Sequence, residues 1–342
     1  MSLRSWVSVI TIALLVVILF AARHEIAHAW ALLGSVNPWV LSLIIPTQIV
    51  VYFVAGEMMF SYLRDKKVIK HISIATQARM ALEMNFVNHV LPSAGVSGVS
   101  YMTWRLHKYG ISPGRATMAQ LVRFVASFAA FIVLLIIALL AITIDGNINR
   151  WMILLSSIIV FAMTGGTILA VYLISSPSRG HAAVKWIVGI VNRVLRLVGV
   201  RQTKGIDTLR AAKFFDDLHT DYLELKKDKR ILIKPFLWGL LFTVGDVLLY
   251  AITFWALGSP VNPAPILIAY GLATFAASFV VTPGGTGAFE AIMVSFLAVA
   301  GIAAGTAIAG IVLTRVILLL GTIGLGYFFY QHALLKYGKS KS

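Results

Sequence analysis

A run of about forty mostly apolar residues, 263–304, would pass for one long membrane helix but for its middle. There the chain reads Thr282-Pro283-Gly284-Gly285-Thr286-Gly287-Ala288-Phe289-Glu290. Pro283 has no amide donor, and three glycines within four positions favour backbone shapes that a helix does not use. In hydrocarbon a freed backbone group costs several kcal/mol unless protein or water satisfies it, so a broken helix at that depth belongs beside a cavity. The amides of Thr286, Gly287 and Ala288 are then expected to open a half-helix whose positive end suits an anion. A helical hairpin with a tight apolar turn is the alternative that this stretch leaves open.

A weaker copy lies earlier. Pro92-Ser93-Ala94-Gly95-Val96-Ser97-Gly98 interrupts a second long segment. Gly110-Ile111 and Gly301-Ile302 each follow their proline by eighteen residues, and each opens the pattern Gly-Ile-x-x-Gly-x-Ala. Arg123 and Arg315 come next, each about one-third of the way along an apolar helix. The shared order is an internal repeat.

With 59% hydrophobic and 12% charged residues, the chain is expected to be an all-α, polytopic integral membrane protein. Six full spans are predicted at 6–22, 38–62, 116–144, 151–174, 231–257 and 305–335, with the two broken hairpins between them. The first is read as a retained helix rather than a signal peptide, followed by a polar-flanked connection at 23–37. Repeat one then covers 38–144 and repeat two 231–335, within a single membrane domain. Residues 151–174 form an extra span, and 179–230 form a basic linker. The first part of that linker is amphipathic and suited to an anionic leaflet; the second reads as a solvated surface helix. The absence of cysteine excludes disulfides and thiolate chemistry.

The formal charge of +16 raises nucleic acid as a partner, but the distribution of charge favours a membrane. If each hairpin returns to its own side, 24 of the 29 Lys and Arg fall on one face, and only Arg23 and Arg150 on the other. That asymmetry predicts a cytoplasmic basic face carrying both termini. It also makes the repeats run in opposite senses, an arrangement that transporters use around a substrate near mid-membrane.

Pro-Ser-Ala-Gly at 92–95, Thr-Pro-Gly-Gly-Thr-Gly-Ala-Phe-Glu at 282–290 and Arg315 resemble the lysylphosphatidylglycerol synthase transmembrane-region, or flippase-like, family. The resemblance runs from about residue 5 to 335. It implies the lipid-flipping region of aminoacyl-phosphatidylglycerol synthases, or a stand-alone protein of lipid or polyprenyl-linked glycan export in a bacterial or archaeal cytoplasmic membrane. The synthases' soluble transferase domain would need a few hundred further polar residues, so a stand-alone member that synthesises no aminoacyl lipid is expected. The expected partners are membrane lipids with anionic head groups; a homo-oligomer and a lipid- or glycan-modifying enzyme are left open.

A guanidinium stays charged when buried and grips phosphate oxygens with parallel hydrogen bonds. Arg123 and Arg315 would supply one from each half, about 12–15 Å from their helix starts. The candidate substrate site therefore comprises Arg315, Glu290, Arg123, Asp246, Glu83 and Arg79 with the loop residues Pro283, Gly284, Gly285, Thr286, Gly287, Pro92, Ser93 and Gly95. No cofactor is implied. In the alternative reading, Arg79 with Glu83, and Arg315 with Glu290 or Asp246, are structural ion pairs. One motif points to an enzyme instead: His24-Glu25-Ile26-Ala27-His28 satisfies H-E-x-x-H, a zinc-protease pattern. It needs a third ligand that no downstream motif supplies, and an interfacial helix end is the plainer explanation. A non-transporting accessory to a lipid-modifying enzyme is the third reading.

Overall fold

In a computed structural model, the structure describes residues 13–91, 96–144, 150–197, 208–277 and 287–337. Helix α1 (Ala13–Ala21) bends by 57° into α2 (Arg23–Leu32), so the connection expected after the first span is itself helical. Then come α3 (Pro38–Ser42), α4 (Ile44–Asp65), α5 (Ile74–Val90), α6 (Val96–His107), α7 (Pro113–Ile144) and α8 (Arg150–Ile174). After α9 (Pro177–Leu197) and α10 (Thr208–Lys227), a 3₁₀ turn leads into α11 (Ile233–Ala256), α12 (Pro263–Ala277), α13 (Ala288–Val299) and α14 (Ala304–Tyr337). Among the described residues there is no strand.

Local chemistry sets several of the starts. Pro38, Pro113, Pro177 and Pro263 each occupy the first position of a helix, where a missing amide hydrogen is harmless. Asn37 and Asn262 cap two of them, their side-chain oxygens accepting from the Trp39 and Ala264 amides at 3.0 and 2.9 Å. Among the described residues, five helices are long and apolar enough to cross a membrane, or six if α1 and α2 form one bent span. Large apolar side chains such as Phe161, Ile168 and Ile136 stand outward, as a lipid-facing surface requires.

The hairpin arms are shorter. α5 and α6 have 17 and 12 residues, α12 and α13 have 15 and 12. At about 1.5 Å per residue, even the longest described stretch reaches about 26 Å, short of a bilayer core of about 30 Å. Each hairpin is followed by a helix of more than thirty residues, α7 or α14.

At the centre α4 and α11 lie side by side in opposite sense. The Asn37 amide at the α3–α4 entrance donates to the Ala256 carbonyl, while Lys234 pairs with Asp65 at the other end. Val51 fits against Gly245, where an added Cβ would come within 2.5 Å of it. Around this seam the hairpins cross over. The first packs with the far half of α14 in a core containing Met84, Phe86, Met102 and Tyr330; the second packs with the far half of α7 around Phe131, Ile266, Met293 and Phe296. Each crossing uses a glycine against a phenylalanine: Gly326 against Phe86, and Gly271 against Phe131.

The linker helix α10 is more than a solvated strut. Leu218 and Asp221 are buried, Arg115 at the start of α7 donates to Asp221 Oδ1 at 3.1 Å, and Lys66 pairs with Glu224. Tyr109 and Tyr337 meet at the same end through their hydroxyls. Burial pushes the Asp221 carboxyl above its ordinary range, outweighing the pull of Arg115. A carboxyl raised in this way favours the fold most at low pH and loses that advantage as pH climbs through its folded pKa. Asp221→Asn should therefore flatten the fall in thermal stability as pH rises from about 4, the ordinary aspartate value, with little loss at about pH 7. A steepened decline in a melting series from about pH 4 upward would contradict it.

Candidate functional site

Gly287 stands at the head of α13 with φ +89° and ψ −59°, a conformation open to glycine. Its amide donates to Glu290 Oε2 at 2.6 Å, so the carboxylate three residues on folds back over the helix start. The same carboxylate holds Arg315 on α14, with Nε 3.1 Å from Oε1. The guanidinium also lies 4.5 Å from the Phe289 ring centre. Arg315 and Glu290 side chains keep 20% and 18% of their surface, so this ion pair is not sealed in the apolar interior. Of the two acids proposed for Arg315, Glu290 is the one that forms the pair.

Asp246, near the middle of α11, instead accepts the hydroxyl of Tyr270 on α12. Tyr250, Tyr270 and Phe289 have ring centres 6.0–6.3 Å apart, so an aromatic cluster joins Asp246 to the Arg315 pair. Next to it Tyr52 on α4 bonds to Thr322 on α14, and Gln48 donates to the Leu318 carbonyl at 3.0 Å. Two further groups lie within electrostatic reach of Arg315. They are His89, three residues before Pro92, and Glu25 of α2, which also senses Glu290. The start of α13 thus meets Arg315 directly, and His89 near the end of α5 lies within its field. Neither His89 nor Glu25 stood out as an anion-site residue; His89 carried only its nearness to Pro92 as a signal.

The remaining candidates have contacts of their own. Glu83 does not pair with Arg79. It is buried with Arg105, whose Nε donates to Glu83 Oε2 at 2.9 Å, and Tyr101 donates to the same oxygen at 2.8 Å. Arg79 is exposed, with its guanidinium 5.7 Å from the Phe329 ring. Arg123, on α7, rests 5.0 Å from the ring of its neighbour Phe124, and its buried Nε has no hydrogen-bond partner among the described residues. Pro92, Ser93, Gly95, Pro283, Gly284, Gly285 and Thr286 lie outside the described residues.

For the zinc reading, no group of three His, Cys, Asp or Glu able to hold a metal occurs among the described residues. An open groove lined by Leu139, Ser156, Ser157, Val160, Phe161 and Thr164 holds no ionisable side chain and sits apart from these charges.

Over residues 5–326 the sequence matches the family described as Lysylphosphatidylglycerol synthase TM region. A UPF0104 membrane protein of Methanothermobacter thermautotrophicus is 24% identical over 235 residues, which is 68% of this chain and 67% of that protein. No solved structure matches.

Proposed function

We propose, from the premise that this chain belongs to the lysylphosphatidylglycerol synthase TM region family, that it carries an anionic lipid across a membrane. The cargo class is a phospholipid or a polyprenyl-phosphate-linked sugar. The observation that carries the reading is the Arg315–Glu290 pair. It combines a guanidinium, a carboxylate and the start of the hairpin helix α13. A lipid phosphate exposed to hydrocarbon would dominate the crossing barrier, and charge-assisted hydrogen bonds from arginine offset that desolvation.

The repeated order of long helix, two short arms and long helix, with α4 and α11 antiparallel, supports two inverted units rocking about a shared seam. In this reading Asp246 and Tyr270 line the path of the head group, and the end bearing Lys66, Arg115 and Lys234 faces the cytoplasm. Proteoliposomes with head-group-labelled phosphatidylglycerol test the proposal. Wild type should flip the lipid, and Arg315→Ala and Glu290→Ala should each slow flipping at least about tenfold, as loss of a charge-assisted hydrogen bond of roughly 1.5–3 kcal/mol implies. Flipping no faster than in protein-free vesicles would defeat the proposal. Unchanged rates in both variants would remove these residues from the mechanism.

A further inference from the structure

The two matched arginines are in opposite electrostatic states. Arg315 is neutralised by Glu290, which also occupies the Gly287 amide, and Glu25 adds a second carboxylate within reach. A carboxylate bridging a helix start and a guanidinium does the chemistry that a phosphate would do in that place. The protein's own side chain thus sits where an anionic ligand would sit.

Arg123 has no such guest. Aligning Pro92 with Pro283 puts Val99 opposite Glu290, so the first repeat lacks the acid. Among the described residues no carboxylate lies within ion-pair distance of Arg123, and its buried Nε is left without an acceptor. It shares its helix face with the buried residues Ala116, Ala119, Gln120, Ala126 and Ala130; the alanines offer no polar side chain, and the Gln120 Oε1 is itself buried without a hydrogen-bond partner among the described residues. An uncompensated cation in such surroundings is costly, and an unmatched buried donor calls for an explanation.

We infer that Arg123 is the open receptor for the anionic group, and that Glu290 is a resident stand-in which an anion must displace to reach Arg315. The inference rests on the transport reading and assigns the two arginines different tasks within it. Arg123 captures; Arg315 receives only when Glu290 is released.

The test uses the full chain in phosphatidylcholine nanodiscs, titrated with tail-labelled phosphatidylglycerol or with diacylglycerol bearing the same label. Inorganic phosphate serves as a competitor that separates recognition of a lipid from recognition of the free ion. Arg123→Gln should lower phosphatidylglycerol affinity at least about tenfold, with Arg123→Lys restoring part of it, and should leave the melting temperature unchanged or higher. Glu290→Gln, which removes the charge of the stand-in, should raise that affinity several-fold. Competition by millimolar phosphate would mark a bare phosphate seat; resistance to it would mark a lipid seat, and either fits the assignment.

The assignment is overturned if Arg123→Gln binds and flips like wild type, an outcome that leaves the transport reading standing. It is also overturned if Arg123→Gln lowers the melting temperature as loss of a structural ion pair would, or if Glu290→Gln weakens binding as Arg315→Gln does. Equal wild-type affinity for phosphatidylglycerol and diacylglycerol, with no flipping, would bring down both.

Discussion

Arg105→Met is expected to be among the most damaging single changes in the molecule, although it lies away from the Arg315 pair. The Glu83 carboxylate is 3% exposed and receives both the Arg105 Nε and the Tyr101 hydroxyl, while the Arg105 guanidinium packs 4.1 Å from the Tyr337 ring centre. Removing the cation leaves a buried acid without its counter-charge, at a loss on the order of 3–5 kcal/mol. Thermal unfolding in detergent, read by loss of the monodisperse peak, should show a large drop in melting temperature. Glu83→Leu combined with Arg105→Met removes both charges and should recover much of it. A double variant no more stable than the single one would show that the pair is not what the methionine disturbs.

Gly287→Val should disable the site without touching a charged residue. At φ +89° and ψ −59° the backbone adopts a positive-φ γ-turn shape, strained for any side chain and worst for a branched one. An added Cβ would meet no atom within 4 Å, so the penalty is conformational rather than steric crowding. A strain of roughly 1–3 kcal/mol is enough to turn the residue out of this geometry. Its amide then no longer meets Glu290, and the carboxylate that positions Arg315 loses its tether. The expected result is flipping reduced by an order of magnitude or more, with a smaller shift in melting temperature than Arg105→Met gives. Gly287→Ala should fall between wild type and valine. Wild-type rates in the valine variant would mean that the turn plays no part in holding the ion pair.

The features visible in the sequence were those that depend on neighbours along the chain. Proline marked the end of α5, where Leu91 before Pro92 is already extended, and glycine the start of α13 at Gly287. The arginines on α7 and α14 stood out because charge is rare in such segments. Spacing misled where tertiary contact decides. Arg79 and Glu83 satisfy the one-turn rule for a helical pair, yet Glu83 turns inward to Arg105, twenty-two residues away. Likewise α10 reads as a water-facing helix from its many charges, while one of its acids, Asp221, is buried against Arg115. Glu25 was read for a zinc motif that its own sequence completes, whereas its nearness to Arg315 comes from the bend after α1. Sequence-local rules see a partner one turn away; they do not see one delivered by another helix.

The seam between α4 and α11 also offers a way to watch the protein work. Its two ends are defined by Asn37 beside Ala256 and Asp65 beside Lys234, and the sequence contains no cysteine. Thiols introduced in pairs at either end would therefore report through cross-linking without background reaction. If the two halves tilt as levers about this line, a short tether that locks one gate must leave the other free to gape.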